Sequence, residues 1–331
     1  AAVAAARLRQ WRNRAVSDGY EPGSTFKVIT LAAALEEGLV NPNTTFNCTG
    51  SIRVPGWSGA IGCSKRSGHG TQVLKVATGN SCNPAFITMG LKIGTETYYD
   101  YLEKFGFLES TGIDLYGEAE GIFFDKDTIA NGVVETAVAA FGQTFKVTPI
   151  QMITAVSACV NGGYLNQPYL VSKIVDDEGN VVQEFDPSVK RQVISEETSA
   201  LIASYAEQVV SGEGGSGARA AVPGYRIGGK TGTSQKLDQE GDDIILSFYG
   251  FAPADDPEIA VLVMLDEPQK NNQYGSVIAA PVVGNILADI LPYLGFEPNY
   301  TEEQLSSADM ATPYLINYGL QEAQTNLVQA G

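Results

Sequence analysis

Apolar positions first mark out helices. In STFKVITLAAALEEG they recur at Phe26, Ile29, Ala33 and beyond, the spacing of one helical face, and Gly38 supplies a stop. The pattern predicts a helix of about four turns that follows Pro22-Gly23. Residues 71–79 read as a short helical stretch that breaks at Gly79-Asn80. Pro84 then opens PAFITMGLKIG, since proline suits a first helical turn. Residues 96–105 and 148–160 also read as helices, so a mostly helical block is expected from 20 to 160.

Beyond it the period shortens. YLVSKIVDDEGNVVQEF alternates around a D-E-G-N turn and reads as a hairpin, SEETSALIASYAEQVVSG as a helix, and GEGGSGARAAVPG as a flexible loop. YRIGGKTGTSQ, DIILSFYGFAP and PEIAVLVMLDE read as three successive strands. The turn Ala254-Asp255-Asp256-Pro257 favours antiparallel pairing of the last two. AAPVVGNILADILPYLG closes the block as a helix. Helices beside an antiparallel sheet predict an α+β fold. The tail TPYLINYGLQEAQTNLVQAG reads as a strand-like piece and an amphipathic helix, too small to bury a core of its own.

Composition narrows the partners. The chain has 331 residues, 44% apolar and 18% charged, the profile of a packed globular protein. A net charge of -17 argues against nucleic acid, because phosphate binding needs clustered Lys and Arg. No apolar run is expected to reach the ~20 residues that span a bilayer. The opening AAVAAARLRQ has the wrong charge order for a signal peptide.

Four cysteines, Cys48, Cys63, Cys82 and Cys159, include no C-x-x-C pair, which speaks against zinc. Cys48 and Cys63 flank CTGSIRVPGWSGAIGC, which reads as a hairpin. In an oxidising compartment a disulfide is one reading of the pair, and two free thiols are the other. Cys159, in ITAVSACV, reads as core.

The one histidine, His69, sits in the Gly-flanked turn SGHGT and reads as structural. A nucleophile here therefore relies more plausibly on lysine as its base. Ser24-Thr25-Phe26-Lys27 supplies the pair, with hydroxyl and amine at i and i+3 on one helical face. The helix N-terminus favours a developing oxyanion and disfavours a protonated lysine. Ser81-Cys82-Asn83 lies in a turn between helices. Its hydroxyl can relay a proton and its amide can bind a peptide carbonyl or orient Lys27; the plain alternative is Asn83 as the cap of the Pro84 helix. Lys230-Thr231-Gly232-Thr233 lies on a strand, where the ammonium and two hydroxyls suit a carboxylate and Gly232 leaves room for a substrate backbone. Arg66-Ser67-Gly68 is a decoy, outside any strand pattern and ahead of Ser81.

The order S-x-x-K, S-x-N, K-T-G is specific where each motif alone is not. With RNRAVSDGYEPGSTFK, GHGTQ, GNSCNPAF, FGQ, TPIQM and VPGYRIGGKTGTSQ, the sequence resembles the transpeptidase module of class B penicillin-binding proteins over residues 11–298. The resemblance implies the penicillin-binding protein and serine β-lactamase-like fold: an antiparallel sheet flanked by helices, plus a mostly helical subdomain. The domain is expected over 1–298 without the first strands of its sheet. A linker is expected at 299–311, and the start of a PASTA-like module at 312–331. That tail and the Cys48/Cys63 spacing lean towards the division or sporulation type of Gram-positive bacteria.

By the same resemblance the activity is peptidoglycan D,D-transpeptidation. Ser24 is the nucleophile and Lys27 its base; Ser81 relays a proton, Asn83 binds the donor, and Lys230 sets the field. Thr231 and Thr233 hold the terminal carboxylate beside Gly232, and the backbone N–H groups of Ser24 and Thr233 form the oxyanion hole. The implied ligands are stem peptides ending in D-Ala-D-Ala and β-lactams, with a cell-wall synthesis complex including a glycosyltransferase as partner. No metal or organic cofactor is implied. The implied location is the extracytoplasmic face of the membrane, held by a preceding anchor. A serine β-lactamase would place a glutamate in an E-x-x-L-N loop. Here Gly162 stands at the glutamate position before Leu165-Asn166. D,D-carboxypeptidase, β-lactam sensor and cell-wall scaffold are the remaining alternatives.

Overall fold

The computed structural model describes Arg7, residues 10–212, 215–236, 243–269 and 274–307, and Gln321, Gln324 and Thr325. The first elements are a short helix α1 (Arg14–Ser17), a 3-10 turn (Gly23–Phe26) and helix α2 (Lys27–Glu36). Two small ribbons follow, β1 (Thr45–Cys48) paired with β4 (Gly70–Val73), and β2 (Ser51–Ile52) paired with β3 (Ile61–Gly62). Helices α3 (Leu74–Gly79), α4 (Asn83–Ile93), α5 (Thr95–Lys104), α6 (Lys126–Asn131), α7 (Val133–Ala139) and α8 (Pro149–Val160) build the helical part. The capping box Thr148/Gln151 starts α8, with Pro149 at its first position.

Strands β5 (Tyr164–Gln167) and β8 (Ser188–Gln192) pair around the hairpin β6 (Lys173–Val175) and β7 (Val181–Glu184). Helix α9 (Glu196–Ser211) leads to the main sheet, β9 (Gly228–Gln235), β10 (Ile244–Ala252) and β11 (Ile259–Asp266), antiparallel in the order β11-β10-β9. Every residue of β10 is buried, as a central strand covered on both faces requires. On one side Phe248 and Ala252 meet helix α10 (Gly275–Tyr293) through Ala279, Ala280, Val283 and Leu287. On the other, Tyr249 and Phe251 join the larger core with α2, α4 and α8.

Several expectations are corrected. Gly70–Val73 is a strand rather than the start of a helix, because its backbone pairs with β1. Helix α10 has 19 residues and a mean hydropathy of 1.5, long and apolar enough to cross a membrane by length and composition, where no such run was expected. Its apolar stripe packs against β10 instead. The expected linker contains a helix, α11 (Glu302–Ser307). Most of the expected PASTA-like segment, like most of AAVAAARLRQ, lies outside the described residues.

Candidate active site

Three glycines bring the nucleophile turn against the sheet. The Gly23 N–H donates to the Gly142 carbonyl at 2.8 Å. Gly23 has φ +56 and Gly142 φ +85, conformations that glycine adopts without strain. A Cβ on Gly142 would stand 2.0 Å from the Gly23 oxygen, and one on Gly23 would stand 2.6 Å from the Thr233 oxygen. A Cβ on Gly232 would stand 2.8 Å from Thr25 Cγ2 and 2.4 Å from Ser247 Oγ. Gly232 therefore makes room for the serine turn itself, rather than for a substrate backbone as its spacing suggested. Phe26 locks the turn from below, fully buried between Phe107 and Phe145 at ring distances of 5.0 and 4.6 Å. Ser24 is left half-buried at the rim.

Lys27 begins the α-helix and points inward. Lys27 is 1% exposed. Its Nζ donates to the Ser81 carbonyl at 2.8 Å, to Ser81 Oγ at 3.0 Å and to Asn83 Oδ1 at 2.6 Å. It also lies 5.3 Å from the centre of the Phe86 ring. Burial, and then the positive charge of Lys230, hold its ammonium well below the ordinary lysine range. The structure thus joins the first two motifs through Lys27.

Ser81 takes φ +50, a left-handed conformation that costs a serine free energy. Its N–H and that of Cys82 are satisfied by Thr78 and Ala77 carbonyls at 3.0 and 3.1 Å. Asn83 is not the cap of α4. That position is Cys82, which makes no side-chain capping bond. The Asn83 amide accepts from Lys27 and donates to the Gly62 carbonyl at 3.0 Å, spanning motif and ribbon.

The third motif lies on β9, an edge strand. Lys230 is 3% exposed, and burial pushes its ammonium down to about 8. Its Nζ donates to the Thr231 carbonyl at 3.2 Å and to Thr231 Oγ1 at 3.4 Å. Thr231 is half-buried and Thr233 exposed, on the opposite face from buried Lys230 and Gly232. In a strand a residue's N–H and C=O leave the same edge. The approach of the Thr233 oxygen to Gly23 therefore aims the Thr233 N–H off the sheet, towards the serine turn.

The three separate motifs thus bring a serine, two lysines and an asparagine together at one seam. The model of the penicillin binding protein transpeptidase domain matches residues 2–288. The chain belongs to this family. It is 45% identical to Stage V sporulation protein D of Bacillus subtilis over 96% of this chain and 50% of that protein. The chain thus spans about half the length of such a curated relative. The D,D-transpeptidase domain of a peptidoglycan glycosyltransferase from Eggerthella lenta superposes with a TM-score of 0.79 at 26% identity, over 89% of this chain and 72% of the other. Penicillin binding protein 3 of Mycobacterium tuberculosis, solved in complex with aztreonam, gives 0.78 at 28% identity, over 87% and 65%.

Within this transpeptidase domain the motif lysines line a narrow recess with Thr78, Phe86, Ile202 and Tyr249. A larger cavity, about 790 Å³, lies between the residue 12–21 segment and the β10–β11 side of the sheet, lined by Arg12, Arg14, Asp18, Lys236 and Asp266. It holds none of the motif residues. Cys48 and Cys63, read as a possible disulfide, are free buried thiols. His69 is not an isolated turn residue: its Nδ1 lies 3.6 Å from Cys63 Sγ. Burial, and then Lys65 and Lys27, hold its imidazolium below the ordinary histidine range.

Proposed function

We propose that this chain is the catalytic domain of a peptidoglycan D,D-transpeptidase that works through an acyl-enzyme on Ser24. The observation that carries the reading is Lys27, a buried amine with a lowered proton affinity, bonded to both Ser81 and Asn83 one helical turn below Ser24. Family membership and the likeness to a D,D-transpeptidase domain support it.

In this mechanism neutral Lys27 takes the Ser24 proton as Oγ attacks the carbonyl of the penultimate D-Ala. Negative charge on the carbonyl oxygen meets the N–H groups of Ser24 and Thr233. The C–N bond breaks, and the leaving D-Ala amine gains its proton through Ser81 Oγ from Lys27. Asn83 holds the donor peptide, and Thr231 and Thr233 hold the terminal carboxylate in the positive field of Lys230. An acceptor amine then attacks the ester, restores Ser24 and completes the cross-link. A β-lactam enters the same path when its ring carbonyl is attacked. Action at the extracytoplasmic membrane face, in a complex with a glycosyltransferase, belongs to the same proposal, as does a sporulation role, suggested by the name of the Bacillus subtilis relative, or a division role.

The test is a donor peptide ending in D-Ala-D-Ala, supplied with a D-amino acid as acceptor amine. Mass spectrometry should detect release of D-Ala together with the aminolysis product. Hydrolysis alone at high acceptor concentration would make the domain a carboxypeptidase, and no turnover of any kind would contradict the reading.

A further inference from the structure

Three buried thiols and the only imidazole of the chain meet beside the S-x-N turn. The ligand atoms of Cys48, Cys63, His69 and Cys82 all lie within 4.8 Å of one another. Two sulfurs each ~2.3 Å from a tetrahedral zinc stand roughly 3.8 Å apart, so small side-chain rotations would close the set. Two thiols would suffice for a disulfide, and a thiol needs no partner to pack in a core, as Cys159 does within α8. Neither reading uses all four groups.

We propose that Cys48, Cys63, His69 and Cys82 form a zinc site that ties the S-x-N turn to the β1–β4 ribbon. Four ligands with soft thiolates and one imidazole match a closed, structural zinc centre. As the ion binds, three S–H bonds break, their protons pass to solvent, and three Zn–S bonds and one Zn–N bond form. No change of oxidation state is involved.

The backbone is built to bring these ligands together. Cys48 ends β1 and stands opposite Gly70, next to His69. The β2–β3 hairpin returns the chain so that the Cys63 N–H donates to the Gly50 carbonyl at 2.8 Å. Gly50 (φ +98) and Gly68 (φ +81) let the two segments touch. A Cβ on Gly50 would stand 2.0 Å from the Arg66 oxygen, and one on Gly68 would stand 2.3 Å from the Cys48 oxygen. Cys82 joins them from the S-x-N turn, covalently between Ser81 and Asn83. The Asn83 bond to Gly62 runs alongside the proposed Zn–Cys63 link. The metal would thus fix the turn that presents Ser81 to Lys27. It stands or falls independently of whether Ser24 is acylated.

The experiment is metal analysis of the chain purified under reducing conditions without chelator, followed by cobalt titration of the stripped protein. The expected results are one zinc per chain, and a cobalt spectrum with tetrahedral visible bands and sulfur-to-cobalt charge-transfer bands. Cys48→Ser and His69→Ala should weaken cobalt binding upwards of about 100-fold, beyond the ~10–100-fold cost of losing an outer-shell partner. Cys159→Ser should leave it unchanged, and so should Ser24→Ala, which separates this result from the acylation reading. The cobalt spectrum of the unsubstituted chain reads the site even if a ligand variant fails to fold. Absence of stoichiometric metal, cobalt spectra without sulfur bands, or a disulfide between two of the three thiols in zinc-treated protein would overturn the proposal.

Discussion

At the scale of single residues, the site rests on two lysines held where water would not hold them. Lys27 can serve as a base only because burial removes the solvation of its charged form. Its replacement by arginine keeps a cation but supplies no neutral base. Lys27→Arg should lower the β-lactam acylation rate by at least about 100-fold with little change in Tm; near-normal acylation would remove Lys27 from the role. For the same reason acylation by the wild-type domain should slow as pH falls and Lys27 gains its proton.

Lys230 gives a thermodynamic counterpart. Burial lowers it from its ordinary range to about 8, whereas in the unfolded chain it titrates near ~10.4. Between these values the unfolded chain holds more protons, so stability rises with pH across that window. Below about 8 the cost is fully expressed, on the order of 3 kcal/mol if burial acts alone. Lys230→Met should therefore raise Tm at neutral pH and flatten the rise in stability between about 8 and ~10.4, while acylation falls. Denaturant titrations across that range check it; a destabilised variant would show that Lys230 contributes more by its contacts with Thr231 than it costs by burial.

At the scale of elements, the site is a seam between α2 with its preceding turn, the turn before α4, and the edge strand β9. The seam closes only where side chains are missing. Gly23→Ala places a side chain at φ +56 and drives its Cβ to 2.6 Å from the Thr233 oxygen. A destabilisation of about 1–3 kcal/mol is expected from the backbone conformation alone. Acylation should fall further than stability, because the clash separates Ser24 from β9. Equal thermal shift and full labelling would show that the seam tolerates the displacement.

Much of this was legible in the sequence, for physical reasons. The S-x-x-K helix, α4, α9 and the three sheet strands carry their own periodicity, and each forms close to the bounds that pattern implies. The short strand Gly70–Val73 was misread because four residues give no period, and its structure comes from pairing with β1. Gly142 could not be read as a site residue, since its need for a bare backbone arises only when Gly23 lies against it. Asn83 reads from sequence either as an amide that binds substrate or orients Lys27 or as a helix cap, and only the packing, which puts Lys27 on its oxygen and Cys82 at the cap, separates the two. The thiol cluster was hidden for a similar reason. Its four members come from four local segments with none of the short spacings that mark a metal site.

At the scale of the molecule, the sheet and the helical part meet around a narrow recess in which Lys27 and Lys230 are buried. In the proposed mechanism Ser24 forms an ester that water attacks poorly and an amine attacks well. Deacylation by water needs a positioned water and a base of its own. His69, the one imidazole of the chain, faces Cys63 instead. The direct measurement is an intact-mass time course after brief exposure to penicillin and removal of excess drug, with peptide mapping of the adduct. The expected result is one penicilloyl group on Ser24, none in Ser24→Ala, and persistence for many minutes or longer. A label elsewhere, or return to the free mass within seconds, would contradict it.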